Sequence, residues 1–276
     1  MSMFGATVDL ASAVTLLFVP GNQPQRFSKA ASAGADVVVC DLADAVPTDA
    51  KQAARSAVVD WLAEGRRAAV RVNAPGTAPH LADLAALAAV GADLGGVLVP
   101  MAETPESLAT VVEALPGISV MALVETARGI RAAVELAAVE GVVRLGIGHL
   151  DLAADLGADP DGPLIAHCRH ELVLAARAAG SAPPLDGVTA SVRDDELLAA
   201  EASAAKRSGF GGKLCIHPAQ IHPVAVAFAP SAQEAAWARR VLTAAGGGVS
   251  VVDGAMVDAP VLARARSILT RAEHTR

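Results

Sequence analysis

The sequence is short of the cysteines that would hold a secreted disulfide framework. Its 276 residues include only three, Cys40, Cys168 and Cys215, an odd and widely spaced set. Cys40 and Cys215 lie inside apolar runs, so we expect buried thiols in a reducing compartment. A chain of this length buries most of the surface that its unfolded form exposes, so it needs neither disulfides nor a structural metal to fold.

Basic runs and long apolar runs are missing as well. The net charge of −7 and the isoelectric point near 5.5 argue against a nucleic-acid-binding surface. The N-terminal segment MSMFGATVDLASAV has no basic n-region, and no apolar stretch is long enough to span a membrane. We therefore expect a cytoplasmic protein that has no nucleic-acid or membrane partner.

The apolar residues that are present fall into eight short blocks. Most blocks are rich in Val, Leu or Ile, which is typical of strands that are buried on both faces. The seventh block is weak, and the regular alternation of the others supports it. The blocks are residues 15–21, 36–42, 68–73, 96–100, 119–126, 142–148, 184–189 and 212–218.

Ala-rich amphipathic stretches separate these blocks. Three of them begin with helix-start signals, PTD at 47–49, TPE at 104–106 and RDDE at 193–196. Eight strand–helix alternations predict an α/β protein with a (β/α)8 TIM barrel. A doubly wound open sheet is the alternative, and it is disfavoured because FVPGNQPQRF, after the first strand, contains no G-x-G-x-x-G.

The alternation stops before the end of the chain. We predict a barrel domain over residues 1–230 and a C-terminal helical extension, or lid, over 231–276. The extension should contain a helix at 232–245, a Gly-rich turn region at 245–260 and a short helix at 261–273. Because it is too small to bury a core of its own, we expect it to pack on the barrel or on a neighbouring subunit.

Polar residues recur at the carboxyl ends of the predicted strands, where barrel active sites form. Several acids that converge there would be costly to bury unless they share a cation, and their hard oxygen atoms suit Mg²⁺ or Mn²⁺. An arginine near the same centre can bind a substrate carboxylate through two nitrogen atoms. Taken singly, each residue is better explained as a strand-end cap or an ion pair, and only the set as a whole favours a site. The set comprises Asp41, Asp44, Arg71, Asn73, Glu125, Thr126, His149, Asp151, His217 and Gln220.

Other chemically active residues are predicted to be structural. His167 and His170 lie one helical turn apart on a predicted outer helix with no further ligand nearby, so we expect exposed polar residues. His217 either contacts substrate or turns the chain into the last barrel helix. The GGG at 246–248 is too short for a phosphate-binding loop and is predicted to be a hinge.

Six segments, taken in order, resemble the citrate lyase β-subunit-like family of aldolases and lyases, which includes malyl-CoA and citramalyl-CoA lyases. They cover about residues 15–270 and read LLFVPGNQPQRFSKA, DVVVCDLADAVPTDAKQAAR, VRVNAPGT, LVETARG, GHLDLAADLG and GFGGKLCIHPAQI. The resemblance implies a (β/α)8 barrel that uses Mg²⁺. It implies cleavage or formation of a C–C bond between a CoA or acyl-carrier thioester and a 2-oxo acid, in a homotrimer or hexamer.

The resemblance also implies roles for individual residues. Glu125 and Asp151 would bind Mg²⁺ directly, and Arg71 would hold the carboxylate of the oxo acid. Asp41 and Asp44 would orient metal-bound water and close the site. A tail aspartate, Asp258, would act as the acid/base of a neighbouring subunit. The residues that would hold the CoA or carrier arm are Phe18, Arg26, Lys29 and Lys51.

Three positions depart from the family pattern. Ala43 stands where the family has the Glu of DLED, Leu150 where an acid usually precedes the ligand aspartate, and Met101 where a Lys follows the strand-4 proline. The leading hypothesis is a Mg²⁺-dependent C–C lyase of the citryl-, malyl- or citramalyl-CoA class. The alternatives are a related thioesterase, an aldolase that acts on a free 2-oxo acid, and a non-catalytic or regulatory subunit of a lyase complex.

Overall fold

The computed structural model describes residues 9–244, 250–253 and 255–274. The chain divides into two compact units, Met1–Val224 and Ala225–Arg276. The boundary that the sequence predicts, at residue 230, falls a few residues inside the second unit.

Eight parallel strands form a closed barrel in the first unit, which confirms the predicted fold. Each strand pairs with the next, and β1 pairs with β8 to close the sheet. Because all the strands run in one direction, their carboxyl ends share one rim. The strands are β1 (Thr15–Pro20), β2 (Val37–Asp41), β3 (Ala68–Arg71), β4 (Leu94–Val99), β5 (Val120–Val124), β6 (Val142–Ile147), β7 (Ala182–Asp186) and β8 (Gly212–Cys215).

The seventh strand begins and ends earlier than the sequence predicts. It contains Pro183 and Pro184, which lack an N–H group and therefore weaken a strand pattern. Their carbonyl groups are used instead. The Pro183 oxygen accepts from Arg144 Nε at 2.6 Å, and the Pro184 oxygen accepts from Gly211 N at 2.9 Å. The two prolines therefore contribute to the barrel as acceptors, while Ala182, Leu185 and Asp186 pair in register with β6 and β8.

Helices follow the strands, as the sequence predicts. Two of the predicted starts are N-caps: Thr104 Oγ1 accepts from Ser107 N, and Asp194 Oδ1 accepts from Leu197 N. The helices are α1 (Phe27–Ala31), α2 (Lys51–Ala63), α3 (Ala78–Ala88), α4 (Pro105–Ala114), α5 (Ala127–Arg131), α6 (Ala133–Ala137), α7 (His149–Leu156), α8 (Pro163–Ala178), α9 (Asp195–Ser208), α10 (Ile221–Phe228), α11 (Ala232–Ala244) and α12 (Ala259–His274). Short 3₁₀ turns occupy Pro24–Arg26, Thr48–Ala50, Gly91–Asp93 and Pro218–Gln220.

Aliphatic side chains fill the inside of the barrel, and one buried arginine closes its amino end. The interior cluster includes Leu16, Val39, Leu98, Met121, Leu123, Leu185 and Leu214. Arg144 of β6 is almost fully buried, and its Nη1 donates to the carbonyl oxygens of Leu10 and Ala13. Because these bonds satisfy the buried guanidinium, the segment before β1 is fixed to the barrel.

Charged residues of β7 and β8 form a second buried group. The Lys213 Nζ lies 2.9 Å from Asp186 Oδ2 and 3.3 Å from Glu201 Oε2. The Arg169 Nε donates to the other Asp186 oxygen at 2.9 Å. The neighbours Leu185 and Leu214 belong to the barrel interior, and successive strand residues alternate in direction. Asp186 and Lys213 therefore face outward and tie these strands to α8 and α9.

The second unit contains more structure than the sequence predicts. An antiparallel hairpin of β9 (Ser250–Val252) and β10 (Ala255–Val257) lies within the predicted turn region, and α12 begins two residues earlier than predicted and is sixteen residues long. Ala238, Val241, Val257, Ala265 and Ile268 form a small buried cluster. The expectation that this segment buries no core is therefore wrong. The predicted hinge at 246–248 lies outside the described residues.

The cysteines are buried and unpaired, as expected. Burial raises the pKa of Cys40 and of Cys215 to about 12, so both are unreactive thiols. Over the ranges that the structure describes, no helix is both long enough and apolar enough to cross a membrane.

Candidate active site

A cavity of about 350 Å³ opens at the carboxyl rim of the barrel. Residues that are far apart in the sequence meet there because the strands of a parallel barrel end on one rim. All of its charged lining residues were singled out from the sequence. They are Asp41, Asp44, Arg71, Glu125 and Asp151, and the histidine His149 lines the cavity beside them.

Arg71, at the end of β3, is held in a fixed orientation by the acids that follow β2. Its Nε and Nη2 donate to the two oxygens of Asp41 at 2.8 and 2.7 Å, and its Nη1 lies 3.0 Å from Asp44 Oδ2. The guanidinium carbon lies 5.2 Å from the centre of the Phe18 ring. Since a guanidinium has five N–H donors, donors remain for a ligand carboxylate.

Asp41 is positioned by the backbone of its own loop. Its oxygens accept from Ala43 N at 2.9 Å and from Ala45 N at 3.3 Å. Lys51 supports the same loop, because its Nζ donates to the carbonyl oxygens of Leu42 and Ala43 at 2.8 and 2.6 Å. The structure therefore gives Lys51 a local task in shaping the site. Its predicted contact with the CoA or carrier arm stays a prediction.

Glu125 and Asp151 are two acids that the fold brings to the same cavity. Glu125 follows β5 and is 3% exposed, and Asp151 lies in the first turn of α7. Burial, together with the charges of Asp151 and Asp44, raises the pKa of Glu125 to about 7. Burial and Asp44 also raise the pKa of Asp151. A divalent cation bound by the two carboxyl groups would stabilise their ionised forms and so lower the pKa of each.

The backbone around Glu125 leaves little freedom for its side chain. Its Oε2 accepts from Met101 N at 2.8 Å, and Met101 has a left-handed φ of 50°, which is uncommon for a residue other than glycine. A Cβ on Gly148 would collide with the Glu125 carboxyl group. The Met101 N–H therefore anchors the carboxylate, and the absence of a side chain at Gly148 leaves the space that it occupies.

The donor set fits Mg²⁺ better than a metal that requires an all-protein site. Within the described part of the chain, no group of three or more His, Cys, Asp and Glu side chains is arranged to hold a metal. Mg²⁺ commonly binds to one or two carboxylates and keeps several waters. Glu125 and Asp151 are such a pair, with space beside them in the cavity for water and substrate oxygens.

The three departures from the family pattern lie around this site. Ala43 and Met101 line a smaller cavity of about 180 Å³, which shares Asp44, Glu125 and Asp151 with the larger one. Leu150 lines the larger cavity. Apolar side chains therefore line the two cavities at three positions where the resemblance leads us to expect charged ones.

The structure does not bring every predicted site residue to the cavity. Phe18 lines it, whereas Arg26 and Lys29 are exposed on the 3₁₀ turn and helix that follow β1. Asp258 belongs to the second unit, where it is exposed and its Oδ1 accepts from Val261 N at 3.1 Å. That bond caps α12, so Asp258 has a local structural role as well as the predicted catalytic one.

Histidines and amides near the rim have mainly structural partners. His217 caps the short turn at Pro218–Gln220, because its Nδ1 accepts from Ala219 N at 3.2 Å. Gln220 accepts from Ile216 N and donates to Thr189 O, both at 2.9 Å. Of the two alternatives for His217, the chain-turning role is the one with contacts. His167 and His170 are exposed on α8, as the sequence predicts.

Two residues near the site were not assigned from the sequence: Asp83 was missed, and His149 was given no role. Asp83 of α3 is fully buried and accepts from Asn73 N and Nδ2 at 2.8 and 2.7 Å. It fixes the loop after β3, and its place inside a helix gave no strand-end signal. His149 is also buried, and among the described residues its Nδ1 has no hydrogen-bond partner. Burial lowers the pKa of His149 to about 4, so the ring is neutral.

Comparison with known proteins links this geometry to a family. A model described as "HpcH/HpaI aldolase/citrate lyase" matches residues 14–218, and a model described as "C-C_Bond_Lyase of the TIM-Barrel fold" matches residues 166–275. A citrate lyase subunit beta-like protein of Mycobacterium tuberculosis is 44% identical over 265 residues, which cover 93% of this chain and 94% of the relative.

Two further similarities concern named ligands and activities. A (3S)-malyl-CoA thioesterase of Cereibacter sphaeroides is 35% identical over 271 residues, 94% of each chain. The crystal structure of the protein CitE of M. tuberculosis, in complex with magnesium, acetoacetate and coenzyme A, superposes with a TM-score of 0.82. Its sequence is 40% identical, and the match covers 95% of this chain and 99% of that one.

Proposed function

The chain belongs to the HpcH/HpaI aldolase/citrate lyase family, and on that premise we propose that it is a Mg²⁺-dependent lyase that cleaves or forms a C–C bond between an acyl thioester and a 2-oxo acid. The observation that carries the proposal is the placement of Glu125 and Asp151 beside the Arg71–Asp41 pair in one cavity. The magnesium, acetoacetate and coenzyme A bound by the similar CitE structure support it.

The residues of the cavity divide the work between binding and orientation. Glu125 and Asp151 would hold Mg²⁺, with Mn²⁺ as a substitute, and Asp41 and Asp44 would orient the waters around it. When bound, the ion would stabilise negative charge on the substrate hydroxyl oxygen and fix its geometry. Arg71 would neutralise the substrate carboxylate through the donors that Asp41 leaves open.

Proton transfer accounts for the remaining steps. In cleavage of a 3-hydroxyacyl thioester, the hydroxyl would give its proton to the Asp258 carboxylate, the C–C bond would break, and its electron pair would pass to the thioester enolate while the oxo-acid carbonyl forms. Asp258 would give a proton to the enolate carbon, and it would remove that proton in the reverse condensation. We place Asp258 in the site of a neighbouring subunit, in a homotrimer or hexamer. Phe18, Arg26, Lys29 and Lys51 would hold the CoA or carrier arm.

The test is to replace Glu125 with glutamine, which keeps the acceptor for Met101 N but removes the charge. We expect kcat/KM for cleavage of malyl-, citramalyl- or citryl-CoA to fall at least about 100-fold, and Mg²⁺ binding to weaken in parallel. Glu113→Gln, on the exposed face of α4, is the matched control and should leave both unchanged. An undiminished rate in Glu125→Gln would exclude this mechanism.

A thioesterase is the second candidate, and the malyl-CoA thioesterase of C. sphaeroides favours it. Product analysis separates the two. A lyase releases a 2-oxo acid and keeps the thioester bond in the acyl-CoA product, whereas a thioesterase releases a free thiol and a 3-hydroxy acid. A protein that does not bind Mg²⁺ together with pyruvate or oxaloacetate would instead fit a non-catalytic subunit.

A further inference from the structure

The walls of the larger cavity differ in chemistry. The acids and the arginine come from β2, β3, β5 and the start of α7, whereas β7, β8 and β1 are consecutive in the closed barrel and form one arc of its rim. Among the described lining residues, those that belong to this arc are all apolar, and apolar residues of β6 and α7 adjoin them. We call the large apolar side chains of this surface the apolar wall, and they are Phe18, Ile147, Leu150, Val188, Leu214 and Ile216.

Strands β7 and β8 do contain charged residues, so an absence of charge in these strands does not explain the apolar wall. Asp186 and Lys213 belong to these strands, but they face outward and pair with one another at 2.9 Å. The inward positions next to them are Leu185 and Leu214, which belong to the barrel interior. The sequence therefore keeps charge out of this side of the cavity although charged residues stand one position away.

Part of the apolar wall is exposed to solvent, so an apolar ligand group that buries it would bind more tightly. Leu150 and Ile216 are each 42% exposed at the mouth of the cavity. Covering large aliphatic side chains with an apolar group is favourable, whereas a polar ligand group placed against them would lose hydrogen bonds to water. Leu150 also adjoins Asp151, so an alkyl group beside it would lie next to the proposed metal ligands.

The size of the cavity points the same way. At the roughly 30 Å³ that one water occupies in the liquid, the volume of about 350 Å³ holds on the order of a dozen non-hydrogen atoms. A small polar acid such as pyruvate would fill about half of it, against the charged side. The remaining space, which adjoins the apolar wall, holds the acyl group of the thioester, the ion with its waters, and the alkyl group that either half of the substrate carries.

We propose that the substrate carries an aliphatic group of several carbons, which packs on the apolar wall while its carboxylate and oxygen atoms face Arg71, Glu125 and Asp151. This inference rests on the proposed function and defines its substrate class. The aliphatic group belongs to either the acyl half or the oxo-acid half of the bond that is cleaved, since the same wall serves both.

Two substrate series test the inference in the condensation direction, with the full-length protein and Mg²⁺. One combines acetyl-CoA with pyruvate, 2-oxobutanoate and 4-methyl-2-oxopentanoate, and the other combines pyruvate with acetyl-, propanoyl- and butanoyl-CoA. We expect kcat/KM to rise by about fourfold for each added carbon in the series that places its alkyl group on the wall. Leu150→Gln and Ile216→Gln should each reduce this preference at least fivefold without adding charge. Leu174→Gln, at a site 63% exposed on α8, is the matched control and should keep it.

The outcomes separate this inference from the proposed function. Turnover that is constant or falls with chain length in both series overturns the inference and leaves the lyase function standing. If there is no turnover, calorimetric binding of the three oxo acids and of the three acyl-CoAs with Mg²⁺ decides: binding that tightens with chain length in either series, and is weakened in Leu150→Gln, supports the apolar wall, and equal or absent binding in both series overturns it. Absence of both turnover and Mg²⁺-dependent binding overturns the proposed function too.

Discussion

At the scale of single residues, the pairing of Arg71 with Asp41 sets how the cavity presents positive charge. Two parallel hydrogen bonds fix the plane of the guanidinium, and the Phe18 ring supports one of its faces. A planar donor that is fixed in advance binds a carboxylate with little further loss of side-chain entropy. Asp41 therefore orients the Arg71 guanidinium as well as neutralising its charge.

Replacing Arg71 with lysine keeps the charge but removes the planar set of donors. A lysine cannot bind Asp41 and a ligand carboxylate in the same geometry, so we expect kcat/KM to fall by about 10- to 100-fold, mainly through a higher KM for the oxo acid. Steady-state kinetics measure the effect. Arg131→Lys, at an exposed site on α5, should behave as wild type, and an unchanged KM in Arg71→Lys would contradict the assigned role.

Asp186→Asn tests the buried charges behind the apolar wall. Removing one partner leaves Lys213 buried without its nearest acid, and we expect a loss of about 3 kcal/mol in the free energy of unfolding at pH 7. Urea denaturation measures the change, with Asp195→Asn on the exposed start of α9 as the control. A loss below about 0.5 kcal/mol would show that Glu201 alone balances Lys213.

The same residue predicts a pH dependence of stability. Burial by itself would raise the pKa of Asp186, but Lys213 and Arg169 outweigh burial and hold it below its ordinary value of 3.8. Because the folded pKa is the lower one, the ionised carboxylate stabilises the fold above that ordinary value, and this stabilisation is lost as the pH falls further through the folded pKa. The stability difference between wild type and Asp186→Asn should therefore be constant from pH 7 to 5 and shrink below about pH 4. A difference that stays constant down to pH 3 would contradict it.

At the scale of elements, the junction of β6 and α7 positions both candidate metal ligands. Gly148 ends the strand and precedes the helix that carries Asp151, and it leaves room for the Glu125 carboxyl group. A side chain there would displace an acid in the site while the rest of the barrel stays packed. The junction between β6 and α7 therefore helps to position the candidate metal ligands.

Gly148→Ala should weaken Mg²⁺ binding more than it destabilises the fold. The added methyl group forces the Glu125 carboxylate to move, and we expect affinity for Mg²⁺ to fall by about 10- to 100-fold. Isothermal titration with Mg²⁺ and pyruvate measures it, and thermal unfolding shows whether the barrel survives. Gly34→Ala, at an open glycine after α1 with a positive φ, controls for the general effect of replacing a glycine. If Gly148→Ala bound Mg²⁺ with wild-type affinity, Glu125 would not be a metal ligand.

Sequence periodicity predicted the strands that are buried on both faces. It did not locate the proline-containing strand or the short hairpin. The valine-rich blocks of β2 and β5 were predicted within a residue or two because strands buried on both faces have few alternatives. The seventh strand was misplaced because two prolines serve as acceptors, which no strand pattern shows. The hairpin of the second unit was missed because its strands are three residues each and follow a Gly-rich stretch.

The acids of the site were predictable because strand ends in a parallel barrel must converge. What the sequence could not supply was the backbone that orients them. The left-handed Met101, whose N–H binds Glu125, and the buried Asp83, which fixes Asn73, depend on the three-dimensional course of loops and helices. No residue spacing encodes these contacts.

At the scale of the whole molecule, the proposal requires that one subunit supplies Asp258 to the barrel of another. Protomers that carry Glu125→Gln and protomers that carry Asp258→Asn should each be inactive alone. Mixed and reassembled in equal amounts, they should regain about a quarter of the wild-type rate, because that fraction of sites combines two intact partners. Activity assays after subunit exchange, with light scattering to fix the assembly size, test this. A mixture as inactive as its components would contradict a shared site, and full activity of Asp258→Asn alone would remove this residue from the chemistry.

Closure of the sheet between β1 and β8 also sets when the nascent chain can fold. Strand β1 emerges from the ribosome first, but one of its edges waits for β8, whose Lys213 pairs in register with Thr15. At about 5–20 residues per second, synthesis of the intervening segment takes roughly 10–40 s. Throughout that time β1 presents backbone donors and acceptors that other chains can bind. We therefore expect the nascent chain to need protection by chaperones for longer than a fold built from local hairpins would.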